Sequence, residues 1–337
     1  MIFATTTLKT ILILNKMNII KWGIIGCGDV AEVKSGPAFQ KVANSELVAV
    51  MRRNSEKAKG FAKRHNVPFW YDSVDDILNH PEINAVYIAT PPSTHLEIAK
   101  QCLAAGKFVY LEKPITLDAN EAKQLAEIVT DNDKIVVAHY RRNLPAFQKV
   151  KELLTTNSIG KVHFADITIL QSKTNNVIAK TDDNWRLKPE TSGGGYFHDI
   201  APHQIDLMYH YFGVIKNAEG FSTSTQNNKV ADIVNGIIEF ENGVQFRGIW
   251  NFIASEKDTK DECIIYGEKG TITFSFYGEK VFLNTSEKDE VFSFENPKHI
   301  QQPLIEETVN YFLDNDKNPC ALENGVQVMK IIDTFTN

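Results

Sequence analysis

Up to about residue 142 the chain alternates short, continuous apolar runs with amphipathic stretches. Residues 18–26 form the first run and end in a glycine turn; Leu47–Met51, Ala85–Thr90, Phe108–Leu111 and Ile135–Ala138 follow, all rich in branched side chains. Between them Ser55–His65, Val74–Leu78, Thr94–Ala105 and Asp118–Thr130 read as helices. Gly106 is placed to end the third helix as a C′ glycine, and Asp118 to cap the fourth. Continuous hydrophobicity predicts strands covered on both faces. Strands alternating with helices predict a parallel, doubly wound sheet.

After residue 142 the pattern changes. Leu144–Thr155 reads as a helix, and Lys161–Leu170 opens a series of longer, alternating strands: Ile233–Phe240, Val244–Phe252, Asp261–Tyr266 and Thr271–Phe276. Turn signals such as Glu241-Asn242-Gly243 and Glu268-Lys269-Gly270 separate them. The expectation is a mostly antiparallel sheet with one face open or used for association, followed by helices near Gln302–Leu313 and Gly325–Thr334. The fold class is therefore α/β, with residues 17–142 as the first domain and 143–337 as an α+β domain. A length of 337 residues agrees with two cores.

Composition adds exclusions. The formal net charge of -6 offers no basic field for nucleic acid or an anionic membrane. Cys27, Cys102, Cys263 and Cys320 are scattered without a CxxC pair, as in a reduced, cytoplasmic protein without a disulfide frame. Residues 1–16 are expected to be an extension outside the fold; their apolar patch, Ile11–Leu14, is far too short to span a bilayer.

Gly26-Cys27-Gly28-Asp29-Val30-Ala31 is a GxGxxA pattern that follows a strand and opens a helix, the context of a Rossmann dinucleotide site. Gly26 permits the tight turn, Gly28 lets backbone approach a pyrophosphate, and Ala31 allows close packing. The second strand ends in Arg52-Arg53 with no acid to bond a ribose 2′-hydroxyl. An arginine fork suits a 2′-phosphate, so the sequence favours NADP(H), with NAD(H) possible.

Four segments together resemble the Gfo/Idh/MocA-type oxidoreductases over residues 18–337: Gly26–Ala31, Ala89-Thr-Pro-Pro-Ser-Thr-His95, Glu112-Lys113-Pro114, and the run from Gly193 to Asp206 that contains His198-Asp199 and His203. The resemblance implies that Gly26, Gly28, Asp29, Val30, Thr90, Pro91, Pro92, His95, Glu112 and Lys113 lie along the cofactor. It also implies that Trp185 and Arg186 reach the cofactor or substrate, and that Tyr140 and Arg142 lie on the substrate side. Lys113 is implied to sit beside the nicotinamide and the substrate's reacting oxygen. Asp199 and His203, four apart, share one helix face. Their pairing with Lys113 suits proton handling in a carbonyl/hydroxyl interconversion, with His203 or Lys113 as the acid/base and Asp199 orienting them.

The stripe Asp199, His203, Asp206 and His210 also has the spacing of a metal face, but no third cluster supports one and no metal is expected. The family's substrates imply a sugar, polyol or related hydroxy-carbonyl compound, with loop residues 171–192 setting selectivity. Its open sheet implies a homodimer or homotetramer. Two other readings share the fold: a glycosidase using NAD transiently, and a ligand-sensing relative without chemistry.

Overall fold

The computed structural model describes residues 17–172, 184–225 and 229–337. The expected extension 1–16 and residues 173–183 of the selectivity loop 171–192 lie outside those residues. The first domain runs β1 (Ile20–Ile25), β2 (Ser45–Met51), α1 (Ser55–His65), β3 (Phe69–Tyr71), α2 (Val74–Leu78), β4 (Ala85–Ile88), α3 (His95–Ala104), β5 (Phe108–Leu111), α4 (Ala119–Ile128) and β6 (Ile135–Val137). Its six strands pair in the order β3-β2-β1-β4-β5-β6, every pair parallel. This is the doubly wound order, with a topological switch between β1 and β4.

The local signals act as expected. Asp118 accepts a hydrogen bond from the Glu121 amide at 2.8 Å, and Gly106 adopts φ +66° after α3. Two features differ from the sequence expectation. β3 is an additional edge strand of three aromatic residues, two of them exposed, so no apolar run announced it. The helix after the glycine loop is irregular: a π-type turn over Ala31–Ser35 gives way to a 3-10 turn over Gly36–Gln40. Pro37 lies in that second turn and has no N–H with which to continue an α-helical ladder.

The second part contains α5 (Pro145–Thr155), β7 (Val162–Leu170), a single turn α6 (Pro189–Ser192), α7 (Tyr196–Phe212) and strands β8 (Ile215–Thr223), β9 (Ile233–Phe240), β10 (Gln245–Asn251), β11 (Lys260–Gly267), β12 (Gly270–Phe274), β13 (Lys280–Thr285) and β14 (Asp289–Ser293). The eight strands pair as β14-β13-β12-β11-β7-β10-β9-β8, all antiparallel except β10 with β7. β8, β13 and β14 lie toward the sheet's two ends and mix apolar with polar and charged residues, which kept them below the sequence signal.

One sheet face is packed and the other open. Inward residues such as Val234, Ile238, Phe246 and Trp250 are buried, while Phe164, Phe221, Ile237, Phe282 and Val291 are exposed. The closing helices α8 (Gln302–Phe312) and α9 (Leu322–Thr336) return to the first domain. Phe312 lies 5.7 Å from Trp22 and 5.0 Å from Phe108 between ring centroids. The Cys320 carbonyl accepts from the Val137 amide at 2.9 Å. One apolar core runs through both halves. The described residues contain no helix long and apolar enough to cross a membrane.

Candidate active site

The exits of β1, β4, β5 and β6 lie at the carboxyl edge of the parallel sheet, where ligands bind in such folds. Gly26 follows β1 with φ +96°. A Cβ there would lie 2.7 Å from the Ala89 carbonyl carbon and the Thr90 nitrogen, so only glycine lets the β1 and β4 exits meet. Above Gly28 a Cβ would meet only the Gly26 oxygen, at 4.0 Å, which leaves open space against bare backbone. The Asp29 and Val30 amides, at the start of the helix's first turn, have no intrahelical partner by position. Open backbone and the amides of a helix start fit a dinucleotide pyrophosphate.

At the end of β2 the Arg52 amide donates to the Tyr71 carbonyl at 3.1 Å. Arg52 lies near the glycine loop: its charge lowers the pKa of the Cys27 thiol, although burial dominates and raises it to about 11. Neither Arg52 nor Arg53 makes an ion pair among the described residues.

Beyond β4, the Thr94 hydroxyl donates to that of Thr90 at 2.7 Å. His95 is 1% exposed; its Nδ1 lies 3.0 Å from the Pro114 oxygen and its Nε2 2.7 Å from the Thr90 oxygen. The ring thereby pins the β4 and β5 exits together, behind Pro91 and Pro92. Glu112 also points inward: its carboxylate accepts from the Tyr87 hydroxyl and from Gln301 Nε2, both at 2.6 Å, and from the Lys113 amide at 3.1 Å. Gln301, just before α8, also accepts from the Tyr110 hydroxyl at 3.0 Å. A buried carboxylate with no ion pair among the described residues thus rests on three hydrogen-bond donors and fixes the strand end that carries Lys113.

Lys113, Asp199 and Arg186 form the charged centre. Lys113 Nζ donates to Asp199 Oδ1 at 2.9 Å and to the Asp199 carbonyl at 2.7 Å. Arg186 Nε donates to Asp199 Oδ2 at 2.6 Å. Burial alone would raise the Asp199 pKa, but the two cations and their hydrogen bonds outweigh it and hold the carboxyl far below the usual carboxylate range. Trp185 lies beside this group, with the Arg186 guanidinium 4.6 Å from its ring centre.

α7 supplies Asp199 and His203. It begins at Tyr196 after Gly195, so Pro202 lies inside the helix rather than at its start. An interior proline cannot bond the carbonyl four residues back, here His198, and crowds that turn; on the same turn the Asp199 carbonyl takes the Lys113 ammonium. One helical turn on, His203 is 4% exposed and stands edge-on to Tyr140, with ring centroids 4.8 Å apart. Its Nδ1 is buried without a hydrogen-bond partner. Burial first, and then the charges of Lys113 and Arg141, push its pKa well below the ordinary histidine value. His203 is therefore a neutral imidazole at pH 7.

The other residues of the stripe divide among separate partners. Asp206 is 1% exposed and accepts both prongs of Arg142, at 2.8 and 2.6 Å. The guanidinium that the sequence placed on the substrate side is thus held by a carboxylate inside the protein. His139, after β6, lies 3.8 Å from Asp206, and burial lowers its pKa to about 4. His198 is 4% exposed, and burial lowers its pKa to about 4 as well. No group of three or more His, Cys, Asp or Glu is placed to hold a metal among the described residues. His139, Gln301 and Tyr277 had no motif to mark them, and only the folded chain brings them to this region; Arg141 lies in the segment Tyr140-Arg141-Arg142 that resembles the family's substrate side.

A glycine loop open to a pyrophosphate after β1 and a lysine–aspartate–arginine group at the exit of β5 together mark a nicotinamide-dependent oxidoreductase. Residues 20–140 match the model of the oxidoreductase family with an NAD-binding Rossmann fold, and residues 147–273 match the GFO/IDH/MocA C-terminal domain. The chain belongs to the GFO/IDH/MocA oxidoreductase family.

An oxidoreductase of Formosa agariphila is 54% identical over 318 residues, covering 94% of this chain and 98% of its own. A scyllo-inositol 2-dehydrogenase (NADP(+)) of Bacillus subtilis is 26% identical over 94% of this chain and 93% of its own. Among solved structures, a levoglucosan dehydrogenase in complex with NADH and levoglucosan superposes with a TM-score of 0.83. It covers 94% of this chain and 96% of its own at 21% identity, and so shows the shared fold. The protein is an NAD(P)-dependent enzyme of the dehydrogenase/reductase type.

Proposed function

We propose that the enzyme interconverts a hydroxyl and a carbonyl on a sugar, polyol or related compound and prefers NADP(H). The observation that carries this reading is the Lys113–Asp199–Arg186 group at the carboxyl edge of the nucleotide-binding sheet, with a buried, neutral His203 one helical turn away. A bound nicotinamide supplies or accepts the hydride. Lys113, directed by Asp199, polarises the substrate oxygen and stabilises the negative charge that develops there on reduction. A neutral His203 accepts the hydroxyl proton during oxidation and, along the same path reversed, its imidazolium returns that proton to the oxygen on reduction. Asp199 keeps both cations in place and is not a proton carrier near neutral pH.

Arg52 and Arg53, without ion pairs among the described residues, support a site for a 2′-phosphate. The activity named for the Bacillus relative agrees with an NADP-linked polyol reaction, and the levoglucosan held by the solved dehydrogenase agrees with a sugar. The open sheet face with Phe221 and Ile237 exposed supports self-association into a dimer or tetramer, which light scattering would measure. Purified protein should bind NADPH more tightly than NADH in a fluorescence titration and turn over members of a panel of aldoses, ketoses and inositols. Tighter NADH binding overturns the cofactor preference; no turnover across the panel overturns the substrate class.

A further inference from the structure

The turn after β12 carries two adjacent aromatic residues that face opposite ways. Phe276 is 1% exposed and stacks on Phe147, whereas Tyr277 is 40% exposed. The turn is nevertheless firmly held. The Asp261 carboxylate accepts the Phe276 amide at 3.0 Å and the Tyr277 amide at 2.8 Å. Arg141 donates to the Phe276 carbonyl, and its guanidinium lies 4.5 Å from the centre of the Tyr277 ring. Arg141 is itself 5% exposed, and its buried Nε has no partner.

These contacts tie the turn to the charged centre. The Arg141 guanidinium also lies 5.6 Å from the Tyr140 ring, and Tyr140 stands against His203. The Asp199 carboxylate lies close enough to help raise the pKa of the Tyr277 phenol, after burial, the largest cause. The Tyr277 ring, 40% exposed, is thus joined to His203 through Arg141 and Tyr140. Its hydroxyl makes no hydrogen bond among the described residues.

We propose that Tyr277 contacts substrate and sets specificity, forming the wall of the site near Asp199 and His203, with Arg141 and Asp261 as the residues that position it. An aromatic face with a free hydroxyl at its tip matches a polyhydroxylated ring, which presents C–H groups on one face and hydroxyls at its edge. This inference rests on the oxidoreductase reading above and adds a residue that the glycine-loop and Lys113 motifs do not indicate. A tyrosine that served only packing would have turned inward, as Phe276 does, and would need no buried arginine beneath its ring.

The test is steady-state kinetics of the full-length enzyme with NADP(H) and the compound of the aldose, ketose and inositol panel that it turns over best. Tyr277→Phe should lower kcat/KM about tenfold, chiefly through KM, the effect of one lost hydrogen bond. Tyr277→Ala should lower it further and change the rank order of the panel, and neither variant should alter the NADPH dissociation constant. Arg141→Met should reproduce the KM increase of Tyr277→Ala and add little to it in the double variant, while Arg141→Lys recovers part of the loss. Wild-type turnover with KM and rank order unchanged in Tyr277→Phe and Tyr277→Ala overturns this proposal alone. No turnover by the wild type across the panel overturns the substrate class proposed above and this proposal with it.

Discussion

Asp206→Asn tests the buried charge pair behind the active site. Asp206 accepts two hydrogen bonds from Arg142 at 2.8 and 2.6 Å, and the two side chains are 1% and 7% exposed. Burial works against the Arg142 charge, and Asp206 more than offsets this. Asparagine keeps the shape but removes the carboxylate, leaving a guanidinium in the interior without its counter-charge. Removing one partner of such a pair costs about 3–5 kcal/mol. At about 2 °C per kcal/mol for a chain of this size, the melting temperature should fall about 6–10 °C. Differential scanning fluorimetry and urea unfolding would read the change. The double variant Asp206→Leu/Arg142→Met should be more stable than Asp206→Asn, because no charge is stranded. A single variant melting within about 1 °C of wild type would refute the reasoning, since it requires the guanidinium to reach water or another carboxylate.

Lys113→Met should lower kcat about a hundred- to ten-thousand-fold while NADPH binding and melting temperature stay close to wild type, because Arg186 still pairs Asp199; a fully active variant would remove Lys113 from the chemistry. Arg52→Ala should weaken NADPH binding about tenfold or more and leave NADH binding unchanged in parallel titrations; equal losses for both cofactors would exclude a 2′-phosphate contact. His139, facing Asp206, Arg142 and Lys113, and His198, facing Asp118, each have a pKa lowered by burial from 6.5 to about 4. The unfolded chain therefore binds more protons than the native one in that interval, so stability is complete above pH 6.5 and declines as pH falls toward 4. At about 1.4 kcal/mol per pH unit, each histidine accounts for about 3 kcal/mol. The loss from Asp199, whose pKa is lowered, starts only below about pH 4. Urea midpoints that are flat between pH 7 and 4.5 would contradict the buried, neutral state of both rings.

The elements legible in the sequence share one property: their signals are local. Phe108–Leu111 and Ser55–His65 have the predicted bounds because period and capping depend on near neighbours. Gly26 and Gly28 were legible for the same reason, since a positive φ and an open backbone are properties of single positions. β3, β8, β13 and β14 were not: β3 is three residues at a sheet edge and the others mix apolar with polar positions, so they become strands only when a neighbouring strand supplies the hydrogen bonds.

The site divides in the same way. By itself the sequence determined a doubly wound nucleotide-binding half, an open-sheet half, and the identity of Lys113, Asp199 and His203 as candidate chemistry. Tertiary structure alone decided which charges meet. It gave Asp199 to Lys113 and Arg186, gave Asp206 to Arg142, turned His95 and Glu112 inward as supports, and set Tyr277 over Arg141 from 136 positions further along the chain. The physical reason is the range of the forces. Backbone propensity acts over a few residues, whereas ion pairing and burial act between whatever the fold brings within a few ångströms, and that sequence separation leaves no local trace.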